Sequence, residues 1–265
     1  MTVIEKFIKG KMNNEALCED MILVNENFVA VIDGVTSKSE KLINGKSGGI
    51  ACAEAIFDAI KKAPEDIDAK TFTKLLTDAV SSLYDVNEEK GHIAASVIVY
   101  SSSKKEVWSV GDCQCIINGE KHIHEKRIDK ELSEIRAKHL EEEIAKGVNE
   151  KDLLSHDTGR EIILSRLKEQ HKFANKICEY GYPVINGTSV PEEMIVIYKI
   201  KNGDEIVLAS DGYPVLCDTL KQSEELLLKE LKENPLCYKG YKSTKGIKAG
   251  NCSFDDRAYI KIKIG

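Results

Sequence analysis

Phe28–Ser37 reads FVAVIDGVTS: five apolar residues run straight into Asp33-Gly34. Asp204–Leu216, DEIVLASDGYPVL, does nearly the same and ends its apolar run at Asp211-Gly212. Short apolar, β-branched runs bounded by turn residues read as buried strands. The chain therefore delivers a carboxylate to the end of a buried strand twice and turns on glycine each time. Three more predicted strands carry acids at their ends. Glu19-Asp20 precede MILV, Asp112 follows VWSVG, and Asp255-Asp256 precede RAYIKIKI. In an antiparallel arrangement such ends can share one edge.

A lone strand-end Asp usually begins a turn, because it accepts local backbone hydrogen bonds. Five acidic strand ends are harder to assign to turns. Converging carboxylates repel, and in a low dielectric they need protons or cations to coexist. The natural cation is hard and oxygen-loving, which points to Mg²⁺ or Mn²⁺. Two such ions about 3.5–4 Å apart can clamp a phosphoryl group and activate a water. The glycine after each Asp is expected to let backbone approach an ion and to offer an open carbonyl. There is no nucleophile elbow, no HExxH and no cysteine followed by five residues and Arg. Asn44–Gly49, NGKSGG, lacks the earlier glycine of a P-loop and reads as the first turn of a helix.

Outward from these strands, β-rich blocks alternate with helical ones. VIEKFIKG, DMILV and NFVAVIDG come first, with NEN (Asn25–Asn27) as a tight hairpin. Helical periodicity follows in SGGIACAEAIFDAIKKA and DAKTFTKLLTDAVSSLYDVNEE. AASVIVYSS, KEVWSVGD and CQCIINGE form a predicted meander. From Ile128 to about Tyr180 the chain turns helical and charged. Ile128, Leu132, Ile135, Leu140 and Ile144 fall on one face of the first helix, and GREIILSRLKEQHKFANKICEYG reads as a second. The charge runs are solvated faces. EMIVIYKI, DEIVLASDG, the helix QSEELLLKELKEN and DRAYIKIKI complete the chain. Strands from both ends are needed to finish a sheet, so residues 1–265 read as a single α+β domain.

The 265 residues are 42% hydrophobic and 31% charged, an ordinary globular composition. The net charge of −6 argues against a nucleic-acid binder. No apolar run reaches the roughly 20 residues of a membrane span. The first residues lack the apolar core of a signal peptide, so a cytoplasmic, reduced setting is expected for the eight cysteines. Cys113 and Cys115, like His122 and His124, share a strand face. A soft-metal site is weakly signalled there, and buried thiols with surface histidines are the better account.

CEDMILV, FVAVIDG, SGGIACAEAI, AASVIVY, VWSVGDCQCIING, EIVLASDG and SFDDRAYIKIKI, in this order and across nearly the whole chain, resemble the metal-dependent type 2C protein serine/threonine phosphatases, the PPM family. The resemblance implies an α-β-β-α sandwich, two antiparallel sheets flanked by helices, with the metal centre at one edge. It implies a cytoplasmic enzyme that hydrolyses phosphoserine and phosphothreonine monoesters on proteins through a water activated by two Mg²⁺ or Mn²⁺ ions. Asp33 matches the carboxylate bridging the metals and Gly34 the carbonyl ligand beside it. Asp211 and Asp255 match the other direct ligands. Asp255 is preferred to Asp256, which takes the family's Asn place. Glu19 and Asp20 match carboxylates that orient water around the metals, and Asp112 matches the aspartate that helps hold a third metal in some members.

Several positions depart from the pattern. Glu15 stands where the phosphate-binding arginine belongs, Val35 in place of a histidine, and Val215 in place of an aspartate that partners the third metal. Cys113-Gln114 replace Ser-Arg. Lys11, Lys38, Lys46 or Arg160 could supply charge to phosphate instead. The family varies between Asp112 and Asp211. Residues 128–190 are the corresponding helical insertion, whose tail, GYPVINGTSVPEE, reads equally as a mobile flap or a structural loop. Two further functions stay open. One is a type 2C-like binding or sensing module, which the departures favour and the retained Asp33, Asp211 and Asp255 oppose. The other is a small-molecule phosphoesterase.

Overall fold

The apolar run of Phe28–Gly34 (β3) is buried along both faces, and its two faces serve two different interfaces. Val29 and Val31 point into a core between two sheets. Phe28, Ala30 and Ile32 point the other way, against helices Gly48–Lys62 (α1) and Ala69–Ser81 (α2). A strand covered on both sides has no polar face to alternate with, which is why the sequence is continuous rather than period-two. Burying each such Val or Ile contributes roughly 1.5–3 kcal/mol.

The computed structural model describes residues 1–36, 42–85 and 90–265. Two five-stranded antiparallel sheets stack face to face. One has the order β2 (Asp20–Val24), β3, β4 (Ala95–Ser101), β5 (Glu106–Val110) and β8 (Val196–Lys199). The other runs β1 (Thr2–Lys9), β10 (Arg257–Lys263), β9 (Glu205–Ala209), β6 (Gln114–Ile117) and β7 (Glu120–His122). Helix α6 (Leu220–Glu233) covers the second sheet by packing Leu227 and Leu231 on Val207 and Tyr259. The result is the expected α-β-β-α sandwich. Ser47 caps α1, accepting from the Ile50 amide, so NGKSGG is the start of a helix as anticipated. Asn25 closes the β2–β3 turn by accepting from the Asn27 and Phe28 amides.

The meander is split. β4 and β5 pair in the first sheet, whereas β6 lies beside β9 in the second. The chain changes sheets at residues 111–113, and Asp112 sits at that crossing. Cys113 and Cys115 fill the core between the sheets, and His122 and His124 flank Tyr198.

The insertion holds α3 (Arg127–Ala145), a short α4 (Glu150–Ser155) and α5 (Thr158–Glu169). Ile128, Leu132 and Leu140 are buried as expected, but Ile135 is exposed and its neighbour Arg136 is fully buried. The second predicted helix stops at Glu169. A 3-10 turn follows, and Asn175 takes a left-handed backbone. Its side-chain amide then grips both the amide and the carbonyl of Val184. Within residues 181–193, Val184–Asn186 are buried, and Ile185 exchanges two backbone hydrogen bonds with Ala95.

Candidate metal centre

Antiparallel register builds the site. Asp20 on β2 lies opposite Asp33 on β3, which lies opposite Ser96 on β4. The Ser96 hydroxyl donates to an Asp112 oxygen at the sheet crossing. Asp211 follows β9 in the other sheet and donates its amide to Asp33 Oδ2 at 3.4 Å. Both sheets thus bring acids to one edge, where single oxygens of Asp33, Asp112 and Asp211 lie within 4.8 Å of one another.

Like charges directly opposite on paired strands are destabilising. Burial, then the neighbouring carboxylates, push Asp20, Asp33 and Asp211 well above the usual carboxylate range. Asp20 is only 3% exposed, and its Oδ2 has no hydrogen-bond partner. Burial also pushes Asp112 up, but the Lys126 ammonium, 2.7 Å away, and Ser96 outweigh it and hold the acid below its ordinary value. Asp255 behaves the same way, with Lys245 and Lys11 outweighing burial.

Asp33, Gly34, Asp112, Asp211 and Asp255 all line one cavity of about 640 Å³. Asp255 stands outside the tight group of three. Glu19, Asp20 and Asp256 lie behind the wall. Glu19 accepts from Ser47 Oγ (2.8 Å), Thr36 Oγ1 (2.6 Å) and Lys11 Nζ (3.1 Å), tying the first turn of α1 to the site. Asp256 accepts from the Lys11 amide and ammonium and from the Glu19 amide.

The two glycines that follow Asp33 and Asp211 are also set by packing. A Cβ on Gly34 would stand 2.5 Å from Gly49 O and 2.6 Å from Glu19 O, and one on Gly212 would stand 2.0 Å from Asp256 O. Packed backbone excludes a side chain at both positions.

Of the proposed phosphate cations, Arg160 lines the cavity. Lys11 is committed to Glu19, Asp255, Asp256 and Thr36. Lys46 pairs with Glu54 at 2.6 Å on the exposed side of α1. Lys38 lies outside the described residues. Lys126 and Lys245 escaped sequence reasoning, since nothing local distinguishes them among 38 lysines and arginines.

No family model matches the chain, and no curated protein does. Several solved structures share its fold over nearly its whole length. One is the catalytic domain of the serine/threonine protein phosphatase PstP in complex with two manganese ions, at 10% identity and TM-score 0.53, covering 99% of each chain. The photosystem II phosphatase PBCP aligns at 14% identity and TM-score 0.54, over 100% of this chain and 98% of that one. A bacterial serine phosphatase aligns at 14% identity and TM-score 0.51, over 98% and 97%. The chain has the fold of the metal-dependent serine/threonine phosphatases. Its own donors also fit hard divalent cations: they are all oxygens, three carboxylates converge, and a buried Asp20 oxygen is left without a partner.

Proposed function

We propose that this chain is a metal-dependent phosphoric monoester hydrolase acting on phosphoserine and phosphothreonine of proteins. The convergence of Asp33, Asp112 and Asp211 at the floor of a cavity in this fold carries that reading. Asp33, the Gly34 carbonyl, Asp211 and Asp255 would hold Mg²⁺ or Mn²⁺, with Asp112 beside them. Such cations supply Lewis acidity that stabilises phosphoryl charge and lowers the pKa of a water to about 7.

The chain's own groups set the geometry. Asp33 and Asp211 come from rigid strand ends in two different sheets, so their separation is fixed by sheet packing rather than by a loop. Asp20, behind Asp33, keeps one oxygen free to accept from water. Lys126 keeps Asp112 ionised. Val35 lines the cavity and offers no proton, so a water held by the aspartates would have to protonate the leaving oxygen. The decisive experiment is turnover of a phosphothreonine peptide with Mn²⁺, with Mg²⁺ and with EDTA, beside Asp211→Asn. Metal-dependent turnover lost in the variant supports the reading, and metal-independent turnover sinks it.

The cavity favours one alternative substrate. Its roof, made by α3, α5 and residues 241–245, encloses a volume suited to a small phosphate ester as well as to a single phosphorylated side chain. Comparing kcat/KM for the peptide with that for small esters separates the two.

A further inference from the structure

The cavity has an acidic floor and a basic roof. Arg160 and Lys245 both line it together with the carboxylates, and they come from two segments fastened to each other. The fastener is Arg136, which is fully buried. It donates from Nε and Nη2 to Asp157 Oδ2 at 3.0 and 2.7 Å, and from Nη1 to the carbonyls of Cys237 (3.2 Å) and Ser243 (3.0 Å). Asp157 caps α5 and accepts the Arg160 amide at 2.8 Å. The Arg160 side chain completes the bridge by donating from Nη1 to Thr244 O at 2.5 Å. One Arg–Asp pair therefore positions Arg160 and, through Ser243, the segment that carries Lys245.

What remains unused is informative. Among the described residues, Arg160 Nε and Nη2 have no acceptor, although the side chain is half-buried and borders the cavity. Lys245 is ion-paired with Asp255, at the seam between floor and roof. Of the other nearby cations, Lys11 is held by four acceptors, Lys126 by Asp112 and Lys242 by Glu134, while Lys168 borders the cavity from the exposed side of α5. Glu15, where the sequence pattern calls for an arginine, is exposed. A phosphate ester brings up to two negative charges to a floor that is itself anionic, so it needs cations from the other side. A guanidinium with two free donor positions matches two phosphate oxygens, and an ammonium adds a point charge.

We propose that Arg160 and Lys245 form the phosphoryl-anion subsite of this cavity, supplied by the insertion and the 237–245 strap in place of the N-terminal position that holds Glu15. This inference rests on the phosphatase reading. Arg160 makes the two-point contact and Lys245 the weaker one, and Arg136 acts only through them as a positioning residue.

The test is calorimetric binding of inorganic phosphate to the full chain with Mg²⁺ present, together with phosphate inhibition of turnover. Arg160→Gln should weaken phosphate by about tenfold or more, the equivalent of one charge-assisted bidentate contact. Arg160→Lys should recover part of the loss, and Lys245→Gln should weaken phosphate by a smaller factor. In Arg160→Gln the KM for phosphopeptide should rise more than kcat falls, while Mg²⁺ affinity without phosphate stays as in the parent. The proposal is overturned if phosphate affinity is unchanged in Arg160→Gln and Lys245→Gln. It is also overturned if Arg160→Lys binds phosphate as poorly as Arg160→Gln while both lose thermal stability in parallel, the signature of a latch to Thr244. Should Arg160→Gln not fold, Lys245→Gln decides. Arg160-dependent phosphate binding in a chain that turns over no ester would leave the subsite standing and remove the phosphatase. Turnover with Arg160-independent inhibition would do the reverse.

Discussion

The two halves of the acidic floor are compensated differently. On one side, Asp255, Asp256 and Glu19 share Lys11, Asp255 also holds Lys245, and Asp112 holds Lys126. On the other, Asp20, Asp33 and Asp211 have no ion-pair partner among the described residues, and burial with mutual repulsion raises all three. Buried charges that lack a partner are costly, and breaking a buried pair leaves such a charge behind. Asp20, Asp33 and Asp211 are thus the carboxylates that need a proton or a cation from outside, while the other half carries cations of its own.

Breaking the uncompensated half should have the largest effect. Asp33→Asn or Asp211→Asn is expected to lower phosphopeptide turnover on the order of a thousandfold or more and to weaken Mn²⁺ binding. In EDTA the same variants should melt higher than the parent, because each removes a repelled buried charge. A variant that melts lower without metal would contradict the contrast. Breaking the compensated half should act on stability first. Lys126→Met leaves Asp112 buried without its counter-ion and should cost about 3 kcal/mol in urea unfolding, partly regained when Mg²⁺ is added.

The contrast is sharpened by pH. Asp20, Asp33 and Asp211 have folded pKa values above their unfolded ones, so in metal-free protein their contribution is full at low pH and is lost as pH rises through the folded values. Asp112 and Asp255 are depressed, so their contribution is present at neutral pH and lost only in acid, below about pH 4. Stability in EDTA should therefore fall as pH rises above the ordinary carboxylate range, and saturating Mg²⁺ should flatten the curve. Chemical unfolding at several pH values checks both slopes. The smallest effect belongs to Lys46, whose exposed pair with Glu54 lies away from the cavity. Lys46→Ala should change stability by about 0.5 kcal/mol or less and leave kcat/KM unaltered.

Strand ends and their acids were legible because their signals are local. An apolar run halting at Asp-Gly places Asp33 and Asp211 without knowledge of the rest of the chain. Helix α1 was equally readable from Ser47 and the periodicity behind it. The exchange between sheets at residues 111–113 was not, since β5 and β6 look alike in sequence and only packing decides which sheet each joins. Nor did periodicity anticipate Arg136. A fully buried arginine breaks the pattern and is tolerated only because Asp157 and two carbonyls from distant segments meet it. The glycines were found, but their crowding was not legible: the atoms around them belong to Gly49, Glu19 and Asp256.

By itself, then, the sequence determined an α+β domain of antiparallel strands and a set of acids poised at strand ends, because hydrophobic periodicity and turn chemistry act over a few neighbouring residues. The two-sheet sandwich came from the resemblance. Tertiary structure alone decided which acids converge, which are already neutralised by lysines, and which cations remain available over the cavity. Those outcomes depend on groups far apart in sequence. Charge interactions in a buried site follow distance and desolvation, and neither leaves a periodic trace along the chain.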